Sequence, residues 1–235
     1  MDIIFYTDRV EDGRACLGPE EMRHAVTVLR RKVGDEITFT DGLGTLYTGT
    51  LTDIGRREAW IEITTQVIDP LPVCRVHIAL APTKSFDRMA WSLEKLTEIG
   101  VSSVIPMFCQ RSERHKWNRD RAEKVLISAM KQSRRTRIPE CPEPLAFSDV
   151  VQQFSNCAHK YLAYLDDESV SLARHYQRAH DVVVLIGPEG DFTAGEVREA
   201  RDAGFLPVIL GDYRLRTETA AVVAAVTLLT LNNKR

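Results

Sequence analysis

The chain of 235 residues has no long apolar run and no basic leader segment. Its hydrophobic stretches fall well short of the roughly 20 residues that a transmembrane helix needs. The first eight residues, Met-Asp-Ile-Ile-Phe-Tyr-Thr-Asp, contain no lysine or arginine, whereas a secretory signal peptide opens with positive charge. These two absences predict a cytoplasmic protein that does not bind a membrane.

Paired cysteines and metal-binding spacings are also missing. The five cysteines are odd in number and scattered, and no two of them form a Cys-x-x-Cys pair, which favours free thiols over disulfides. The six histidines likewise lack the spacing of metal ligands. We therefore expect no metal site.

The glycine motifs of the common nucleotide-binding folds are absent. The strand predicted over residues 73–81 leads into Pro-Thr-Lys-Ser, where a Rossmann domain would carry Gly-x-Gly-x-x-Gly. No Walker loop is present either. These observations argue against an ordinary Rossmann domain and against a P-loop enzyme.

Positive charge is concentrated in two segments, although the net charge is only -2. Residues 111–137 carry ten Lys/Arg against three acidic residues, and residues 22–32 carry four Lys/Arg with no acid. Such asymmetry predicts a basic face for a polyanion on an otherwise acidic body. The alternative is that much of the longer segment is an exposed helix face, since Asn118 can cap a helix there and Glu123 can form local ion pairs.

The prolines of Asp69-Pro70-Leu71-Pro72 divide the chain into two parts. The first part is mostly β, with strands predicted at 3–6, 36–40, 45–52 and 59–68 and one helix at 19–29. In the second part strands alternate with helices, which predicts an α/β fold whose parallel sheet is covered by helices on both faces. Its strands are predicted at 73–81, 101–107, 161–165, 181–186 and 206–210, and its helices at 86–99, 118–134, from 193, and 219–231.

Two glycine-bearing segments near the C-terminus are the most informative feature. Gly187-Pro-Glu-Gly-Asp-Phe192 and Gly211-Asp-Tyr-Arg-Leu-Arg-Thr-Glu-Thr-Ala220 each follow a predicted buried strand and lead into a helix. We expect the glycines to allow a backbone bend, a capping box to begin the helix at Thr193, and Gly204 to end that helix in a left-handed conformation. Two such loops at the carboxyl ends of adjacent parallel strands predict a ligand crevice.

These motifs resemble the SPOUT-class enzymes that use S-adenosylmethionine to methylate N3 of a uridine in bacterial small-subunit (16S) ribosomal RNA. The resemblance rests on Gly-Pro-Glu-Gly-x-Phe followed by Leu-Gly-x-x-x-Leu-Arg-Thr-Glu-Thr-Ala, in this order and spacing. Asp191 stands where the family usually has a second glycine, and Tyr213-Arg-Leu-Arg216 replaces the usual Arg-Ile-Leu-Arg. Supporting matches lie at His24–Arg30, Gly34-Asp35, Asp41-Gly42, Lys95–Gly100, Arg111-Ser112 and Gln132-Ser133.

The resemblance implies a specific architecture. Residues 1–70 would form a PUA-like RNA-binding β-barrel, and residues 73–235 a SPOUT methyltransferase domain with a C-terminal trefoil knot. The enzyme would be a homodimer that acts on 16S rRNA within a small-subunit particle. The alanines of the C-terminal helix would permit close packing of a second subunit, and burial of that helix within its own chain is the alternative. These alanines are Ala220, Ala221, Ala224 and Ala225.

The resemblance also implies roles for particular residues. The cofactor site would comprise Leu185, Ile186, Gly187, Glu189, Gly190, Leu210, Gly211, Leu215, Arg216, Thr217 and Ala220. RNA would contact Arg23, His24, Arg30, Arg111, Arg134 and Arg135. The four apolar side chains would line an adenine slot, unless they are only core residues at strand ends. Taken singly, His24 is equally explained as a half-buried helix residue.

The catalytic candidates are Arg216, Glu189 and Glu218. The N3 proton of uracil must leave before the nitrogen can attack a methyl group, so a cation such as Arg216 would stabilise the developing anion and a carboxylate would accept the proton. Packing does not explain a carboxylate between two glycines at Glu189, whereas Glu218 also suits the dipole at a helix N-terminus. The sequence does not identify the proton acceptor.

Two other functions compete with this one. A non-catalytic RNA-binding or ribosome-assembly protein would not account for the two glycine loops. A nucleotide-utilising enzyme of another class would require a phosphate-binding motif, which the chain lacks.

Overall fold

The computed structural model describes residues 3–232, which divide into two compact units. The first unit contains the chain up to Leu71 together with Ile127–Ile138, and the second contains Pro72–Leu126 together with the chain from Pro139 onward. The break after Leu71 falls in the proline-bearing linker. Ile127–Ile138 also belongs to the first unit, which the position of the linker does not predict.

The first unit is built on one six-stranded sheet. Its strands are β1 (Ile4–Tyr6), β2 (Val10–Glu11), β3 (Arg14–Leu17), β4 (Glu36–Thr40), β5 (Thr45–Ile54) and β6 (Ala59–Ile68). The order is β1-β4-β5-β6-β3-β2, and all neighbours are antiparallel except the parallel pair β1 and β4. Phe5, Leu17, Phe39 and Ile61 fill the core of this unit, so the predicted β pattern is confirmed. The short strands β2 and β3 were not predicted.

The helix predicted at 19–29 changes its winding halfway along. An α-helix, α1 (Pro19–Arg23), continues directly into a π-helical turn, His24–Val28, in which the Leu29 N–H donates to the His24 carbonyl at 3.1 Å. Arg30 then adopts a left-handed φ of 58°. Such π-helical turns are rare and insert one residue into the helical path, which no periodicity argument anticipates.

The second unit carries a seven-stranded, entirely parallel sheet. Its strands are β7 (Val76–Leu80), β8 (Ser103–Phe108), β9 (Leu145–Ala146), β10 (His159–Ala163), β11 (Val170–Ser171), β12 (Val182–Ile186) and β13 (Leu206–Ile209). Its helices are α2 (Phe86–Ile99), α3 (Arg119–Gln132), α4 (Phe147–Gln153), α5 (Leu172–His175), α6 (Ala194–Asp202) and α7 (Thr217–Asn232). The last turns of α3 group with the first unit. The predicted alternation of parallel strands and helices is confirmed.

The strand order corrects one expectation. The order is β11-β13-β10-β12-β7-β8-β9, so β10 lies between β12 and β13. The two glycine-bearing segments therefore do not follow adjacent strands. Sequence neighbourhood suggested adjacency, but an earlier strand occupies the position between them.

Local start and stop signals were predicted correctly. Gly100 ends α2 in a left-handed conformation with φ 101°, and the Thr193–Glu196 capping box begins α6. Gly204 follows α6 with φ 85°, and the Asn118 side chain accepts the Arg121 N–H at the start of α3. Within residues 3–232, none of the helices combines the length and the hydrophobicity that crossing a membrane would require.

Candidate active site

The loop after β12 turns sharply between Pro188 and Asp191, with Glu189 and Gly190 at the centre of the turn. The Asp191 N–H donates to the Pro188 carbonyl at 2.9 Å, and Asp191 has a left-handed φ of 62°. Gly190 lies within this turn, as expected, although neither Gly187 nor Gly190 has a left-handed φ. Asp and Asn are the non-glycine residues that best tolerate this conformation. This explains how Asp191 occupies the position at which the family usually has a glycine.

Close packing also restricts the side chains that fit at Gly187 and Gly190. A Cβ atom on Gly187 would lie 2.9 Å from the ring of Phe192, which is buried beneath the loop. A Cβ atom on Gly190 would lie 3.3 Å from the Cβ of Arg111. Gly211 differs, because a Cβ there would meet no atom within 4 Å. Gly211 is thus not constrained by the protein's own packing.

Hydrogen bonds join the two segments although their strands are not neighbours. The Thr217 hydroxyl donates to the Gly187 carbonyl at 3.0 Å, and the Arg214 guanidinium lies 3.5 Å from the Glu189 carbonyl. Arg111 donates to the carbonyls of Gly190 and Phe192 at 3.1 and 3.3 Å. The two loops therefore meet, as expected, although β10 lies between the strands that they follow.

The apolar candidates divide into two groups. Leu185 and Ile186 are fully buried in the sheet, and Leu185 belongs to the main core cluster of this unit. Their side chains therefore do not line an open slot, because a central parallel strand is covered on both faces. Leu210 and Leu215 are half-buried, so their side chains remain partly accessible. Thr217 and Ala220 lie buried in the first turn of α7.

A cavity of ≈ 420 Å³ brings two of the three catalytic candidates together. It is lined by Asp87, Arg88 and Trp91 from α2 and by Arg216, Glu218 and Thr219 from the start of α7. Glu189 does not line this cavity. Its Oε1 atom accepts the Lys84 N–H at a long 3.5 Å.

Glu218 is the most unusual group in the cavity. Its side chain is only 9% exposed, its Oε1 atom lies 3.8 Å from Nε of Arg88, and its Oε2 atom is buried without a hydrogen-bond partner. Buried polar atoms without partners are rare in folded proteins.

Arg88 and Trp91 were not predicted from the sequence as site residues. Their spacing of three residues places them on one face of α2, but nothing local connects that face with α7.

The RNA candidates lie in different environments. Arg23 and Arg30 are exposed, whereas His24 is half-buried with its ring 5.7 Å from that of Phe5, in agreement with the simpler alternative for this residue. Arg134 is exposed, and burial lowers the pKa of Arg135. The exposed Arg111 holds the loop after β12.

Much of the positive charge of residues 111–137 is used inside the units. Within the second unit, Arg119 pairs with Glu143 at 3.3 Å and Arg121 pairs with Asp87 at 3.0 Å. Within the first unit, Lys131 pairs with Glu21, and Arg137 donates to the carbonyls of Leu43 and Asp69. Part of the charge of this segment is therefore paired locally, and its contact with RNA stays a prediction.

The parallel sheet, the joined loops and the charged cavity define an α/β protein with a candidate ligand site where the two glycine-bearing segments meet. The chain belongs to the RNA methyltransferase domain family, whose model matches residues 69–229. Residues 17–64 match the model of the RNA methyltransferase PUA domain. The family resemblance drawn from the two glycine segments is confirmed.

Named relatives cover nearly the whole chain. The ribosomal RNA small subunit methyltransferase E of Mycobacterium bovis is 30% identical and aligns over 94% of this chain and 89% of its own. A crystal structure of ribosomal RNA small subunit methyltransferase E from Neisseria gonorrhoeae bound to S-adenosyl methionine is 28% identical, with a TM-score of 0.86 over 99% of this chain and 98% of that chain. A "probable rRNA-methyltransferase from Porphyromonas gingivalis" is 37% identical, with a TM-score of 0.91 over 98% of both chains.

Proposed function

We propose that this protein uses S-adenosylmethionine to methylate N3 of one uridine in bacterial 16S ribosomal RNA. The observation that carries the proposal is the junction of the two glycine-bearing segments, fixed by the Thr217–Gly187 hydrogen bond, in a chain of the RNA methyltransferase family. The names of the relatives support the small-subunit rRNA as substrate, and the Neisseria structure supports the cofactor. Such a substrate places the enzyme in the cytoplasm.

The residues at the junction fit the proposed cofactor. Open space beside the Cα of Gly211 and the half-buried Leu210 and Leu215 suit an apolar base held between backbone groups. Leu185 and Ile186 would contribute through the strand backbone rather than through their buried side chains. The proposed cofactor residues are Leu185, Ile186, Gly187, Glu189, Gly190, Leu210, Gly211, Leu215, Arg216, Thr217 and Ala220.

When bound, S-adenosylmethionine supplies a methyl group on a positively charged sulfur, which needs no further activation. The protein then has to align the uracil and to manage its N3 proton. Arg216 is exposed at the cavity and stabilises negative charge that develops on the uracil. A carboxylate accepts the proton, for which Glu189 and Glu218 are the candidates.

The architecture proposed with this function is an RNA-binding PUA-like barrel over residues 1–70 and a SPOUT domain over residues 73–235. The path of the chain supports a C-terminal trefoil knot. β13 lies beyond β10 toward one edge of the sheet, whereas α7 packs against β7, β12 and α2 as well as against α5. The segment between β13 and α7 therefore crosses the ends of the central strands, as a threaded segment would.

We propose a homodimer, although not through the alanines of α7. Ala220, Ala221, Ala224 and Ala225 are all buried within the chain, so the expectation that they face a second subunit is wrong. The rest of α7 is still mostly apolar, and Val226 is 44% exposed. A helix that is apolar on all sides is normally covered on all sides. A second copy of this chain covers that surface.

Light scattering should therefore give twice the chain mass of 26.6 kDa at micromolar concentration. Val226→Glu should shift the protein toward monomers, because it would bury a charge in the interface. Leu165→Glu, at an exposed leucine of the same unit, is the matched control and should leave the dimer intact. A wild-type monomer throughout the micromolar range would refute this assembly.

We expect RNA binding to depend on the exposed cations near the π-helical turn. Replacing Arg23 and Lys32 by Glu should weaken binding to small-subunit RNA. The slope of log Kd against the logarithm of the salt concentration should also fall, by about 0.7 for each lost contact with a phosphate of single-stranded RNA. The pair is preferable to Arg134 and Arg135, because Arg135 is partly buried and its replacement would disturb the fold. Arg198→Glu on exposed α6 controls for total charge. Equal salt slopes for wild type and double variant would remove these residues from the interface.

Mass spectrometry of 16S rRNA tests the activity itself. RNA from a strain that lacks this protein should lose N3-methyluridine at one position, and purified protein with S-adenosylmethionine should restore it in isolated small subunits. A full complement of N3-methyluridine in the deletion strain would refute the function. Calorimetry with S-adenosylhomocysteine, ATP and NAD separates this enzyme from the alternative of a non-catalytic RNA-binding or assembly protein, which would bind none of the three.

A further inference from the structure

The cavity between α2 and α7 contains charged and aromatic side chains in addition to those proposed to bind the cofactor. Two guanidinium groups, Arg88 and Arg216, and the carboxylate of Glu218 line it together with the exposed indole of Trp91. The remaining carboxylate, Asp87, is already paired with Arg121 at 3.0 Å. The groups left to receive a ligand are therefore two guanidinium groups, one carboxylate, the Thr219 hydroxyl and one aromatic ring.

This set of groups complements the Watson–Crick edge of uracil. That edge presents the O2 acceptor, the N3–H donor and the O4 acceptor, and proteins recognise unstacked RNA bases by hydrogen bonds to these edges and by stacking on aromatic rings. Guanidinium groups donate to O2 and O4, and a carboxylate accepts N3–H. Cytosine has no hydrogen at N3, so its edge would leave Glu218 facing a second acceptor.

Glu218 has both the burial and the unused capacity that a proton acceptor needs. One of its oxygens is buried with no hydrogen-bond partner, and the other lies 3.8 Å from Nε of Arg88. A carboxylate kept out of water without a full set of partners is costly, and such groups recur at functional sites. Arg88 offsets part of this cost by holding a positive charge beside the carboxylate.

Glu189 is less suited to this role. Its Oε1 atom already faces the Lys84 N–H, and its side chain does not line the cavity that contains Arg216. The two glutamates therefore lie in different parts of the second unit. Glu189 belongs to the loop after β12, and Glu218 belongs to the charged cavity.

We propose that this cavity receives the target uracil, that Glu218 is the base that removes its N3 proton, and that Arg88 and Arg216 bind the uracil oxygens. The proposal rests on the methyltransferase function proposed above. The N3–H bond breaks as the proton passes to the Glu218 carboxylate, and the electron pair left on N3 forms the bond to the methyl carbon. The electrons of the broken methyl–sulfur bond stay on sulfur, and Glu218 later releases the proton to solvent.

Single-turnover methylation by Glu218→Gln tests the proposal. The amide keeps the size of the side chain but cannot take a proton, so transfer to small-subunit RNA should slow by about 100-fold or more. The Kd of S-adenosylhomocysteine, measured by calorimetry, should stay within about twofold, because the cofactor junction is intact. Glu218→Asp retains a carboxylate and should recover part of the rate.

Substrate RNA transcribed with 5-fluorouridine supplies the readout that a structural role would not change. Fluorine makes the N3–H more acidic, so a variant without its base should gain about tenfold or more from the substitution, whereas wild type should gain little. Glu199→Gln, at an exposed glutamate on α6, is the matched control and should behave as wild type on both RNAs.

The outcomes are distinct. A Glu218→Gln rate within a few-fold of wild type, or a slow rate that 5-fluorouridine does not rescue, overturns Glu218 as the base. Loss of S-adenosylhomocysteine binding in this variant overturns it too, because Glu218 would then belong to the cofactor site. If wild type itself transfers no methyl group to either RNA, the proposed function is wrong, and the assignment of the base is wrong with it. The missing wild-type activity distinguishes this outcome from one in which only the assignment of Glu218 is wrong.

Discussion

Gly211→Val should abolish binding of S-adenosylhomocysteine while leaving the fold intact. A Cβ at this position would meet no protein atom within 4 Å, and the backbone is not in the left-handed region, so the chain's own packing does not exclude a side chain there. The added methyl groups would instead fill the slot proposed for the cofactor. We expect calorimetry to show at least a 100-fold loss of affinity, about 2.7 kcal/mol.

A matched glycine controls for the cost of valine itself. Gly195 is exposed in the first turn of α6, and a Cβ there would approach only the Thr193 hydroxyl, at 3.9 Å. Gly195→Val should bind S-adenosylhomocysteine normally, and both variants should retain the far-ultraviolet circular dichroism of wild type. Normal binding by Gly211→Val would show that the pocket lies elsewhere.

Arg216→Ala should lower turnover by about 100- to 1000-fold, far more than it lowers cofactor affinity. Arg216 is exposed and lines the same cavity as Glu218, so its loss removes charge stabilisation of the uracil anion without burying an unpaired group. Single-turnover rates and the Kd of S-adenosylhomocysteine, measured on the same samples, separate the two effects. Arg174→Ala, at an exposed arginine of α5, should change neither.

The opposite pattern would assign Arg216 a different task. If turnover and cofactor affinity fall by the same factor, Arg216 only shapes the cofactor pocket. If neither falls, the cavity beside α7 is not the place where the uracil reacts.

Elements with strong local signals could be predicted residue by residue. Strands β4 and β6 and helix α2 begin and end where the pattern places them, because alternation, a serine N-cap and Gly100 all act within a few residues. The hairpin of β2 and β3 was missed although its signal was present. Asp12-Gly13 joins the two strands with positive φ at both residues, which is the preferred chemistry of a two-residue turn.

The candidate site was only partly predictable, because its parts meet through tertiary structure. The glycine segments were found from sequence, but the steric reason for Gly187 lies in Phe192 beneath it. The cavity joins α2 to α7, and no pattern within either helix indicates that Arg88 approaches Glu218. Charge counting over residues 111–137 was less informative, since it could not show which cations already had partners.

The buried alanine face of α7 has a consequence for the order of events during folding. The alanines are buried, and α7 packs against β7 and α2, elements from the beginning of the same unit, so these contacts close a very long loop of chain. Contacts between such distant segments form slowly, because the entropy of loop closure is lost before the contacts stabilise it. The same docking brings Thr217 to Gly187 and Glu218 to Arg88. The ability to bind cofactor should therefore emerge with the slowest step of folding rather than with the formation of the sheet.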